Sequence, residues 1–200
     1  MKIQHAFLAL IIILLTSGCN AEMTGTVVDA ETGAPIEGAV ILVEWTVTKG
    51  VPGMTVTERY RVVETITDKD GKATISGVLN PQVNPPVIVI YKAGYVAWNN
   101  EFIFPNYKKR TDFKWGETQL FKLERFRKGY SYSKHLLFFR PIVHSAGDSK
   151  TLPNMYQAFS WETTMAAREE ELLRNKKKLR PTETEDRLWQ EIMQELYLQK

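Results

Sequence analysis

The chain has 200 residues, 44% of them hydrophobic and 24% charged, with a formal net charge of +3. That balance belongs to a globular protein and excludes a disordered chain or a polytopic membrane protein. The small net charge gives no ground for nucleic acid as a partner, and the single cysteine leaves no intramolecular disulfide to form.

The first twenty residues are laid out like an export signal. Met1-Lys2 supplies a short positive region, and Ala6 to Leu15 (AFLALIIILL) an apolar run of signal-peptide length. A bilayer-spanning helix needs roughly 20 apolar residues, and this run stops short at Thr16-Ser17-Gly18. Small residues directly before Cys19 resemble the lipobox of bacterial lipoproteins. The resemblance implies cleavage between Gly18 and Cys19, a diacylglyceryl (palmitate-type) modification of Cys19, and a membrane partner reached through that acylated cysteine. A single acyl chain binds marginally, whereas two chains on one residue give stable anchoring. Asn20, where an aspartate favours inner-membrane retention in enterobacteria, leans towards the outer membrane facing the periplasm. Residues 1–18 are then the signal peptide and 19–23 a lipidated tether of about 15 Å.

From 24 to 124 the pattern is all-β. Thr24–Asp29 reads as a short strand closed by the turn-rich Glu31-Thr32-Gly33-Ala34-Pro35. Ala39–Thr48 (AVILVEWTVT) is β-branched and long enough for a central strand, and Thr55–Thr67 alternates imperfectly, as a sheet with one wet face does. Asp70-Gly71 signals a hairpin turn. Lys72–Ser76, Val87–Tyr91, Ala97–Phe104 and Thr118–Leu123 add four strands, while Pro81, Pro85 and Pro86 mark a loop. Seven short strands over about a hundred residues predict a β-sandwich.

Gly25-Thr-Val-Val-Asp29, Thr32-Gly33-x-Pro35-Ile36-x-Gly38-Ala39-x-Ile41, Thr67-Asp68-x-Asp70-Gly71-x-x-x-Ile75 and Tyr91-Lys-Ala-Gly-Tyr95 resemble the motifs of carboxypeptidase regulatory-like domains. The resemblance covers about half the chain and implies a seven-stranded transthyretin-like (prealbumin-like) sandwich. In that family the motifs describe a scaffold rather than a site. The segment between Trp45 and Thr65 is longer than is usual there.

Residues 105–150 hold eleven Lys/Arg against four Asp/Glu, whereas 19–104 hold six against ten. The 125–154 segment reads as a basic, aromatic loop, suited to anionic headgroups or an acidic partner. Residues 155–200 read as helical. A first helix spans Ser160–Leu179, with Glu162 and Glu169 to Glu171 early and Arg174 and Lys176 to Lys178 late, an order that complements the helix dipole. After Pro181, Thr182-x-x-Glu185 resembles a capping box. Leu188, Ile192 and Leu196 then form one apolar stripe, able to fold back on the body or to dock on an envelope protein.

Tests for chemistry find no nucleophile elbow, no His-Glu-x-x-His and no glycine-rich phosphate loop. Asp68-x-Asp70-Gly71 lacks the flanking ligands of a calcium loop, with Ile66 and Gly77 at those places. His135, His144 and Asp148 are weak as metal ligands, and ordinary packing is favoured. Neither a cofactor nor a metal is expected. Trp45, Trp98, Trp115, Trp161 and Trp189 could stack on sugars, though tryptophan more often fills cores. The expectation is a non-enzymatic, lipid-anchored envelope protein acting as a binding or structural module. Its rivals are a carbohydrate-binding lipoprotein and an enzyme whose site carries no recognisable motif.

Overall fold

The computed structural model describes residues 22–116 and 118–175, with Arg187, Gln190 and Gln194 as separate helical positions. Gly18 and Cys19, and the stripe Leu188, Ile192 and Leu196, lie outside the described residues.

The described chain is mainly β, with two helices near its C-terminal end. Its elements are β1 (Glu22–Asp29), β2 (Val40–Val51), β3 (Met54–Ile66), β4 (Lys72–Ser76), β5 (Val87–Tyr91), β6 (Trp98–Asn99), β7 (Phe102–Ile103), β8 (Lys108–Lys109), β9 (Thr118–Leu123), α1 (Tyr132–Ala146) and α2 (Pro153–Asn175). Strand β1 lies between β4, antiparallel, and β9, parallel. The second sheet has the order β3-β2-β5-β6, and β7 pairs with β8 alone.

Two hydrophobic clusters meet at the four-stranded sheet. On one side Ile41, Val43 and Trp45 of β2 and Ile88 and Ile90 of β5 join Met23, Val27, Ile75, Phe121 and Leu123 of the three-stranded sheet. On the other, Val40, Leu42, Val89 and Tyr91 pack with Phe138, Phe139 and Val143 of α1 and Met155 and Met165 of α2. Side chains alternate across a strand, so burial on both faces requires an unbroken apolar run. The runs Val40–Val43 and Val87–Ile90 meet that requirement.

Four expectations change. Among the described residues nine strands are present where the sequence predicts seven, because the stretch 97–104 divides into β6 and β7 and Lys108–Lys109 adds β8. Asn99 Oδ1 accepts from the N–H groups of Glu101 and Phe102 at 2.6 and 3.0 Å, and this local turn competes with the ladder. Asp68-x-Asp70-Gly71 is a turn but closes no hairpin, since it carries the chain from β3 in one sheet to β4 in the other. Gly71 is needed there for its positive φ of 71° and because a Cβ would stand 2.4 Å from the Val27 carbonyl oxygen. Within 125–154, residues Tyr132–Ala146 are helix rather than loop. Pro141 sits inside that helix, and an interior proline costs about 3 kcal/mol. Packing of Phe138, Phe139 and Val143 on the sheet offsets the cost. Finally, α2 starts at Pro153, a residue favoured at the first helical position, and not at Ser160.

The motif residues converge on Asp29, whose buried carboxylate holds the end of β1. Its Oδ1 accepts from Glu31 N–H and Thr32 N–H, both at 2.9 Å. Its Oδ2 accepts from Arg125 Nε at 2.6 Å and from the Tyr95 hydroxyl at 3.1 Å. Burial disfavours the charge, yet hydrogen bonds from Thr32, Arg125, Glu31 and Tyr95 hold this carboxyl well below the usual range. A depressed folded-state pKa gives stability that is present above the unfolded value, about 3.9, and is lost as pH falls below it. Asp29→Asn should therefore lower stability at neutral pH by about 1.5–3 kcal/mol. Urea midpoints measured against pH should fall less steeply below about pH 4 in this variant than in the parent protein.

Candidate functional site

The residue types best suited to acid–base chemistry meet between β5 and the helices. Tyr91 ends β5 on the helix-facing side, His135 lies in the first turn of α1, and Glu162 lies well inside α2. All three are buried, at 1%, 0% and 1% exposure. The Tyr91 hydroxyl donates to Glu162 Oε2 at 2.7 Å, and His135 Nδ1 lies 2.6 Å from Glu162 Oε1. The Ala97 N–H donates to His135 Nε2 at 2.8 Å. With Nε2 accepting, the proton belongs on Nδ1, and the imidazole donates from there to Glu162. Phe104, Phe126 and Phe139 surround the ring, with centroids at 5.0, 5.2 and 5.3 Å.

A general base must reach the proton that it removes. Here the nitrogen a substrate would meet already accepts from the backbone of Ala97, and aromatic rings seal the rest. The arrangement is a clamp joining sheet and helices. Burial, followed by the charge of Glu162, pushes the Tyr91 phenol well above its ordinary value. Three other carboxylates make similar joints. Glu169 accepts from Ser131 Oγ and Ser133 N–H at the start of α1, at 3.0 and 2.9 Å. Glu64 of β3 accepts from Asn154 N–H at 3.1 Å and Met155 N–H at 2.6 Å at the start of α2. Glu44 of β2 accepts from Ser145 Oγ at 2.9 Å. Negative charge at helix N-termini is favourable, so the first two cap as well as join.

A helix opening at Ser160 places Glu162 in its first turn, where a carboxylate serves the helix dipole, and so conceals this site in the sequence. With the start moved to Pro153, the buried positions are Met155, Glu162, Met165, Ala166 and Glu169. Both glutamates stand on the apolar stripe, which is the signal that could have found them. His135, His144 and Asp148, weak as metal ligands in the sequence, are not brought together. His144 packs against Tyr156 and Phe159, and Asp148 accepts from Thr151 N–H at 3.0 Å. Among the described residues no group of three or more His, Cys, Asp or Glu could hold a metal ion.

The tryptophans divide. Trp45 and Trp98 are buried, Trp45 against Trp115 and Trp98 against Phe113 and Phe121. Trp161 lines an open cleft of about 470 Å³ together with Lys92, Asn154 and Gln157. The Asn154 Nδ2 is already committed to Glu64 at 2.8 Å. Trp189 lies outside the described residues. In the basic segment, Arg125 is joined to Asp29 and Arg127 to Glu124 and Glu31. Among the described residues no helix is long and apolar enough to cross a membrane.

The chain matches no protein-family model and no curated protein. Among solved structures it is similar to a streptococcal ancillary pilin, with 15% identity over 54% of this chain and 30% of that one, at a TM-score of 0.28. It is also similar to the C-terminal domain of the shaft pilin SpaA from Lactobacillus rhamnosus GG. That match has 21% identity over 52% of this chain and 97% of that one, with a TM-score of 0.30. The chain thus spans under a third of the ancillary pilin's length.

Glu162→Ala would orphan two buried donors, the Tyr91 hydroxyl and His135 Nδ1–H, at about 1–3 kcal/mol each. Chemical denaturation should show the combined loss, with Tyr91→Phe costing less than Glu162→Ala.

Proposed function

We propose that this protein is a non-catalytic lipoprotein of a bacterial cell envelope, a binding or structural module held on the membrane by acylated Cys19. The observation that carries this reading is the order Ala6–Leu15, Ser17-Gly18, Cys19, with the first strand opening at Glu22. An apolar export run, small residues, one cysteine and then folded chain almost at once is the layout of a body held close to a leaflet. The signal would be 1–18, cleaved between Gly18 and Cys19, and the lipidated tether ends at residue 21 rather than 23, because Glu22 and the buried Met23 already belong to β1. Asn20 favours the outer membrane, with the body facing the periplasm.

The body from 24 to 124 is read as a transthyretin-like sandwich of the carboxypeptidase regulatory-like type. Its support is the shared core of the two sheets and the convergence of motif residues on Asp29. A non-catalytic role is supported by the sealing of Tyr91, His135 and Glu162, whose polar atoms serve one another. The stripe Leu188, Ile192 and Leu196 either folds back on the body or docks on an envelope protein.

Carbohydrate binding is the second reading, favoured by Trp161 beside Gln157 and Lys92 in an open cleft. It predicts tryptophan fluorescence that responds to envelope glycans and loses the response in Trp161→Phe. An unresponsive glycan screen removes it.

For the lipid anchor, intact mass of the mature protein should show acyl chains on an N-terminal Cys19. Cys19→Ser should abolish incorporation of a palmitate analogue and release the protein from membranes. An unmodified thiol on a membrane-free product would overturn the reading.

A further inference from the structure

The β2–β3 hairpin runs on well past the sheet that contains it. Glu44 is the last β2 residue paired with β5, opposite Val87, yet β2 continues to Val51 and pairs with β3 throughout. Seven further residues at about 3.3 Å each extend the ribbon by about 23 Å. Its base is fastened to the body, since Val47 bridges Val83 and Asn84 Nδ2 donates to Thr46 Oγ1 at 2.9 Å. From Thr48 to Arg61 every residue is exposed.

The direction of this arm follows from the pairing. The turn between β3 and β4 lies at the Asp29 end of β1, where the Val27 N–H donates to the Gly71 carbonyl at 2.7 Å. Strand β4 then runs to Ser76, opposite Glu22. Arg61 Nη1 donates to the next carbonyl, Gly77, at 3.1 Å. The arm therefore leaves the body at its Glu22 end, and Arg125 on Asp29 marks the opposite end.

The tip is apolar. Val51 and Met54 pair across the turn and share a face with Val56 and Lys49, which also pair. Val51, Met54 and Val56 are 63%, 79% and 62% exposed. Pro52 and Gly53 close the turn, Gly53 at φ 87°, a value that favours glycine. Only three residue steps, about 11 Å at full stretch, lie between Cys19 and Glu22. A body tethered that closely must hold its Glu22 end near the headgroups, and the arm projects at least as far from the same end.

We propose that this hairpin tip is a second membrane contact. Val51, Met54 and Val56 dip into the headgroup layer of the leaflet that holds Cys19, with the Lys49–Glu58 ion pair, Nζ to Oε2 2.6 Å, beside them at the polar rim. The inference rests on the lipid-anchor reading above. Two contacts fix one orientation, with the Asp29 end and its basic residues turned away from the membrane.

The test uses the lipidated full-length protein in vesicles of phosphatidylethanolamine and phosphatidylglycerol. Acylated Cys19 is unreactive, so Met54→Cys, or Lys69→Cys in the turn at the far end, supplies the sole thiol for a bimane label. Lipids with a spin-labelled headgroup should quench the label at position 54 several-fold more than at 69. Val51→Asp with Val56→Asp should remove the difference while leaving the unfolding midpoint unchanged. Equal quenching at the two positions in protein whose mass shows the lipid overturns the arm contact alone. A mass without lipid overturns the anchor and this contact together.

Discussion

The four-stranded sheet has no wet face over its central strands, and most of the architecture follows from that. Strands β2 and β5 send alternate side chains into two separate cores, one shared with the three-stranded sheet and one with the helices. A sheet buried twice must have both coverings in place, because either bare face would expose a row of valine, isoleucine and leucine to water. The helices are therefore part of the fold's core and not an appendage hung on a finished β body.

Carboxylates fix where that helical covering sits. Apolar packing is non-directional and would let the helices slide. Glu162, Glu169, Glu64 and Glu44 each join one element to another through short hydrogen bonds. Two of them sit on helix N-termini, where orphan N–H groups need acceptors in any case. Leaving such a group unpaired is costly, so each joint favours one docking over its neighbours. The same logic explains why a histidine, a glutamate and a tyrosine meet here: each polar atom is taken by another of the three or by the Ala97 N–H.

Much of the β part was legible because its signals are local. Ala39–Thr48 and Val87–Tyr91 announce strands, and Thr67 to Gly71 announces a turn. What connected to what was not legible, since the Asp68 turn reads the same whether it closes a hairpin or crosses between sheets. The first helix was hidden by Pro141, which local propensity counts as a breaker, although tertiary packing carries it here. Glu162 is hidden by a helix start seven residues late, which places it in an opening turn. The aromatic residues of the basic segment, Phe126 and Tyr132 above all, belong to the core. Its Arg125 and Arg127 serve acidic partners on the body itself.

Orientation is what this architecture offers to the proposed membrane anchor. The Glu22 end carries an exposed apolar ribbon, and the opposite end carries Asp29 and Arg125. A body without independent motion between sheet and helices would transmit that orientation to whatever it meets. Native-state hydrogen exchange tests the rigid coupling most directly. Amides of α1 and α2 should exchange with the same opening free energy as those of β2 and β5, all through global unfolding. Helix amides that exchange through a separate opening several kcal/mol easier, while the strands stay protected, would contradict the account.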